Sequence, residues 1–224
     1  MLAIEVVLLF IAVTFAHVSA LALSAKLARV PVRQVQYGIA PVIATFGKYR
    51  LGFLPVGGFV KMKDSREDSL DADSLEDAFD HQPRWIQAAM PLGGSLLVLL
   101  VAIALLGREG WTAFASGFGQ IVHGAISPLN EAQHLLASFV AYLEVRSLPD
   151  SVGLFFAKMA AFNLLPIPIL NGGDAIANLL GIYRASERVR MRVQQVSLCF
   201  VLPLWIGWLC AAVVYVARAT NLID

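Results

Sequence analysis

Charge is what this sequence has least of. Asp, Glu, Lys and Arg together make up 15% of its 224 residues, against about a quarter in ordinary soluble domains. Residues 1 to 25 hold a single acid, Glu5, and no Lys or Arg at all. No basic run interleaved with aromatics is present, and the net charge is +1, so nucleic acid is excluded as a partner. Cysteine is also scarce. Cys199 and Cys210 share one late apolar segment, about three helical turns apart, which rules out a bridge between them and offers no zinc or redox cluster.

What is abundant is apolar surface. Hydrophobic residues are 58% of the chain and mean hydropathy is +0.70, more than a soluble domain of this size can bury. The chain therefore reads as an integral membrane protein, with the lipid bilayer as its first partner. Four segments approach the ~20 apolar residues a span requires: 3–27, 86–106, 152–181 and 195–217. The first is too long, and lacks the basic start, for a secretory signal peptide, so it is expected to remain as an anchor. Trp85 opens the second segment; Trp205 and Trp208 lie deep in the fourth.

The cations set an orientation. Lys26, Arg29, Arg33, Lys48, Arg50, Lys61, Lys63, Arg66 and Arg84 fall in the link 26–84, and Arg184, Arg188, Arg190 and Arg192 in the link 182–194. The positive-inside rule makes both links cytoplasmic, with both termini outside, in an expected bacterial inner membrane.

The first link has two characters. Residues 30–62 are rich in Val, Ile, Tyr and Phe, broken by Gly and Pro, and predict strands and tight turns beside the membrane. Residues 64–84 carry eight of the 16 acids and predict a solvated loop. In the outer link, 107–150, Ser127 and Pro128 read as a cap and first-turn pair. Leu135, Leu136, Phe139, Val140 and Leu143 follow at helical spacing, predicting one amphipathic surface helix. The fold class expected is an all-α polytopic membrane protein, one domain over 1–224. It has about four transmembrane helices, a small membrane-associated β hairpin and an amphipathic surface helix.

Three stretches carry a likeness: "FAHVSALALSAKLARVPV" from Phe15, "GKYRLGFLPVGGFVKM" from Gly47, and "NLLPIPILNGGDAI" from Asn163. In this order and separation they resemble the site-2 protease family of intramembrane zinc metalloproteases, over most of the chain and without a periplasmic PDZ insertion. In that family the first helix carries His-Glu-x-x-His ahead of an Ala-Lys or Ala-Arg pair. Histidines at i and i+4 stack on one helix face and chelate zinc, while the glutamate activates bound water. A later Asn-x-x-Pro-x-Pro-x-Leu-Asp-Gly-Gly supplies an aspartate as third protein ligand.

Anchored on Ala25 and Lys26, the resemblance places the signature on residues 17–21. His17 stands at the first ligand, but Val18 stands at the base, Leu21 at the second ligand and Asn171 at the aspartate. Val and Leu have no lone pair to give. His81 in the acidic link, and His123 and His134 in the outer link, do not lie at the depth of His17; Asp174, three residues after Asn171, is the nearest compensating acid. No catalytic residue, no metal and no cofactor are expected; if zinc were held, His17 and Asn171 would hold it.

The scaffold around that centre is retained. The resemblance implies a groove that takes an unwound peptide along a sheet edge, here Leu54, Gly57, Gly58, Phe59 and Val60. Asn163, Pro166 and Pro168 stand in the loop beside it. Two readings follow: a non-proteolytic, scaffolding relative that holds a transmembrane or extended peptide of another membrane protein, or an active metalloprotease with atypical zinc ligands.

Overall fold

A computed structural model describes residues 2–66, 75–184 and 186–220. The elements run in the order α1 (Leu2–Leu27), β1 (Val32–Phe46), β2 (Tyr49–Met62), α2 (Arg84–Leu106), α3 (Arg108–Ile126), α4 (Glu131–Val145), α5 (Leu148–Asn163), α6 (Asn171–Leu179) and α7 (Glu187–Ala219). Short 3-10 turns at Phe79–His81 and Ile182–Arg184 complete the described set. α1, α2 and α7 are long and apolar enough to cross a membrane by length and composition.

The segment 152–181 is broken, as its two prolines require. Pro166 and Pro168 have no N–H to extend a helix, and α5 ends at Asn163 before α6 restarts at Asn171. The loop between them lies against the start of α6. A Cβ on Gly172 would sit 2.3 Å from Leu164 O, and one on Gly173 2.1 Å from the Ile167 carbonyl carbon. That contact, closed by Gly173 N to Leu165 O (3.1 Å) and Asp174 N to Leu170 O (2.8 Å), makes Asn171 the first residue of α6.

The core joins α1, α2, α3 and α5. Leu9, Val13, Val98, Leu99, Ala102, Phe114, Phe155, Phe156, Ala157, Ala160 and Ala161 are buried together, with Phe10 edge-on to Phe155 at 4.9 Å. Small residues let the helices approach, as is common in membrane bundles. On α3, Gly110 meets Ala102 of α2, Gly117 meets Ala161 of α5, and Gly124 meets Trp208 of α7. Trp208 is fixed there by Nε1–H donation to Ile121 O at 2.9 Å.

The outer link departs from the single surface helix expected. It is two helices, α3 and α4; Ser127 ends α3 and its hydroxyl also accepts from Glu131 N at 3.4 Å at the start of α4, where Asn130 holds the N-cap position without a side-chain cap bond. The turn is held by Asn130 N to Ser127 O (3.4 Å) and Ala132 N to Ser127 O (3.1 Å). Gln133 then donates to Ala211 O of α7 at 3.0 Å, so the hairpin packs into the bundle. The apolar periodicity from 135 onward is that of α4; the glycine-spaced face of α3 carries a packing signal that hydrophobic periodicity does not register.

The strands are longer than tight turns suggest, and each pairs twice. Val35 faces both Val60 and Tyr49, Gln36 both Phe59 and Arg50, and Tyr37 both Gly58 and Leu51. Residues 49–52 pair in turn with 42–46, so the hairpin folds back on itself in the lateral order 58–62, 32–37, 49–52, 42–46. The fold-back follows from a bend at Gly38 (φ +78°) and Ala40 (φ +70°), ahead of Pro41. A Cβ on Gly38 would stand 2.5 Å from Leu54 O. The sheet hangs from α1 through Thr14 Oγ1 donating to Pro55 O (3.0 Å), the Ser19 and Tyr37 hydroxyls (3.1 Å), and Phe15 stacked on Tyr37. Its 58–62 edge has no further strand beside it among the described residues.

The acidic link is more ordered at its ends than a solvated loop. Lys63 pairs with Asp77, Arg66 with Asp64, and the Ser65 hydroxyl bonds Asp80, while Ser65 N donates to Asp80 at 2.9 Å. Lys63 and Asp64 are themselves buried. Residues 67–74 of that link lie outside the described residues.

Candidate functional site

Three helices converge on one small polar cluster. His17 of α1 is buried, and its Nε2 lies 2.9 Å from Asn171 Nδ2 at the start of α6; the same Nδ2 donates to Ser95 Oγ of α2 at 3.1 Å. With Nδ2 donating, Nε2 is the acceptor and Nδ1 carries the imidazole proton. Nδ1 is buried and meets no hydrogen-bond partner among the described residues. The ring reaches this position because Gly94 has no side chain: a Cβ there would be 2.8 Å from Cε1 and 2.9 Å from Nδ1. Gly93 gives the same clearance to Ser24, about two turns further along α1.

The positions flanking His17 are filled with hydrocarbon. Val18 is fully buried, and its Cγ2 would be 2.8 Å from a Cβ on Gly58, so this valine seats β2 against α1. Leu21, one turn on from His17, is half-buried. A zinc site takes three protein donors plus an open position. Here one imidazole nitrogen is already hydrogen-bonded to a neutral amide, and no group of three His, Cys, Asp or Glu side chains that could hold a metal occurs among the described residues. The donor set does not fit zinc.

Beside the cluster opens a cavity of about 830 Å³. One wall is the sheet edge Phe59 to Met62; the other is Pro168 and the α6 residues Asn171, Asp174 and Asn178; residues 187–198 of α7 face them. Of the peptide-binding positions expected from sequence, Phe59, Val60 and Pro168 line this cavity. Gly58 serves the packing on Val18, and Leu54 pairs with Ile39 at the bend of the sheet. Gly57 (φ +66°) has open space around it, Pro166 is exposed, and Asn163 donates to Met159 O of its own helix at 2.9 Å.

The sequence pattern of peptidase family M50 matches residues 5–204, which takes in nearly all of α1, the sheet, the loop before α6 and the first half of α7. The chain belongs to peptidase family M50. A relative from Vibrio cholerae serotype O1 (strain ATCC 39315 / El Tor Inaba N16961), named "Putative zinc metalloprotease", is 32% identical over 87 residues. The match covers 38% of this M50 chain and 18% of that relative, so the chain spans well under two-thirds of the relative's length.

Ser95 and Gly94 are the members of the M50 cluster that sequence reasoning missed. Their signal was the Gly93-Gly94-Ser95 run inside an apolar helix, which marks a close helix approach and an intramembrane hydroxyl. Tyr183 and Asn178, at the cavity, had no motif to announce them.

Proposed function

We propose that this M50 chain is a non-proteolytic member of its family that holds a transmembrane or extended peptide of another membrane protein and scaffolds a membrane complex. The observation that carries it is the pairing of His17 with Asn171, with Val18 packed against Gly58 where a general base would stand. Replacing a base forfeits a factor of about 10² to 10⁴ in proton transfer. What supports the holding role is a strand edge, without a further strand beside it among the described residues, that faces α6 across a cavity of about 830 Å³. In the bilayer such an edge gains its affinity from main-chain hydrogen bonds, which have no water to compete with them.

The test is metal content and cleavage on one preparation. Protein purified from membranes without chelator is expected to hold no stoichiometric zinc, to keep its unfolding temperature when chelator is added, and to leave a model transmembrane peptide intact. Stoichiometric zinc lost in His17→Ala, together with cleavage that the same substitution abolishes, would establish the metalloprotease reading instead.

A further inference from the structure

The α6 wall of the groove has a chemistry of its own. Asn171, Asp174 and Asn178 stand at i, i+3 and i+7, on one helix face, and all three line the cavity opposite the strand edge. Asn178 is 2% exposed; its Nδ2 donates to Asp174 O at 3.0 Å, and its Oδ1 is a buried acceptor with no partner among the described residues. Buried acceptors are nearly always satisfied. The Tyr183 hydroxyl lies within hydrogen-bonding reach of the Asp174 carboxylate. Its single proton, however, goes to Pro168 O at 3.0 Å, and a phenol cannot donate twice. Arg66, whose charge reaches the Asp174 carboxylate, pairs with Asp64 and donates to Tyr183 O at 3.3 Å, and Lys61 and Arg190 also line the cavity. The α6 face thus places a carboxylate and a buried, unpartnered amide oxygen one helical turn apart at the wall of the groove.

We propose that Asp174 and Asn178 form a subsite for the ammonium of a lysine carried by the polypeptide segment that lies along Phe59–Met62. An ammonium has three N–H donors and no acceptor, so one ammonium can satisfy both oxygens at once. The subsite rests on the reading that the groove takes an extended peptide, and it names that peptide's chemistry.

The full chain in nanodiscs is titrated with fluorescent peptides. Each has one apolar span and an extended juxtamembrane segment, with lysine, glutamine or norleucine placed at successive positions. At one position the lysine peptide is expected to bind about tenfold or more tighter than the norleucine peptide, the scale of a desolvated charge contact. In Asp174→Asn, which keeps volume, and in Asn178→Leu, the ratio of lysine to norleucine affinity falls to within about twofold, whatever the absolute affinity of each peptide. N-methylation of alternate peptide amides weakens every peptide, because it removes the strand pairing. Equal binding of lysine and norleucine at every position overturns the subsite and leaves the groove reading standing. Glutamine binding as tightly as lysine overturns the ammonium assignment. Absence of binding by any peptide, or binding indifferent to N-methylation, overturns the groove reading and the subsite with it.

Discussion

Nε2 of His17 and Nδ2 of Asn171, 154 residues apart in the chain, lie 2.9 Å from each other, and Ser95 Oγ completes the contact at 3.1 Å. This cluster ties α1, α2 and α6 at a single point. Asn171→Leu would leave an imidazole nitrogen and a hydroxyl without their partner, at an expected cost of about 1–3 kcal/mol. Unfolding measured for His17→Ala, Asn171→Leu and the double variant should be non-additive, since both singles break the same bond. Additive losses would mean that the two side chains are neighbours without being coupled.

Geometry permits a gain-of-binding test. Leu21 stands four residues after His17 on one helix face, and Asn171 already touches His17 Nε2. Leu21→His with Asn171→Asp supplies a second imidazole and a carboxylate around that nitrogen. Zinc analysis of the double variant should approach one ion per chain, with either single substitution well below it. A metal-free double variant would show that α6 is not seated at ligand distance from α1.

Two glycines make opposite predictions for the same substitution. Gly94→Ala drives a methyl to 2.8 Å from the His17 ring, whereas a Cβ added at Gly119 on α3 would meet no atom within 4 Å. The first should destabilise by about 1–3 kcal/mol. The second should stabilise by about 0.5–1 kcal/mol through helix entropy. Equal shifts in unfolding temperature would contradict the packing of α2 on α1.

The two ends of the acidic link should separate in acid. Hydrogen bonding from Lys63 holds the Asp77 carboxyl below its ordinary value of 3.8. At Asp80 burial pushes upward, but the Ser65 hydroxyl and amide outweigh it and hold that carboxyl below the ordinary value as well. A depressed folded-state pKa contributes stability above the unfolded value and loses it as pH falls through the folded one. Amide exchange at 63–66 and 75–82, corrected for its intrinsic pH dependence, should therefore show unchanged protection from pH 7 to about 5 and lose protection below about 4. Protection already lost at pH 6 would point to a different latch.

The sequence announced the scaffold through chemistry that one stretch can carry alone. Apolar length marked α1, α2 and α7; the two prolines marked the break after Asn163; β-branched and aromatic residues between glycines marked the hairpin. Apart from the pairing of His17 with Asn171, relationships between stretches were not legible. The double pairing of Val35 depends on a bend at Gly38 and Ala40 that no alternation pattern encodes. The α3–α4 hairpin was missed because its contacts rest on small residues, whose signal is an absence of side chain. At the site, His17 and Asn171 were found by motif position, but Ser95 and Gly94 belong to a helix that no motif tied to them.

Gly110, Gly117 and Gly124 of α3 recur every seven residues, each abutting a different helix, so successive contacts are about 10 Å apart along its axis. Gly207 of α7 seats against Ala125 O of α3, and Trp205 of α7 meets Phe162 of α5, while residues 187–198 stand across the groove from α6. α3 therefore works as a spacer bar. No α3 residue lines that cavity, so its far wall is seated by a helix standing outside it, and one methyl added at Gly124, 2.4 Å from the Trp208 ring, would press on α7 without altering a residue of the cavity.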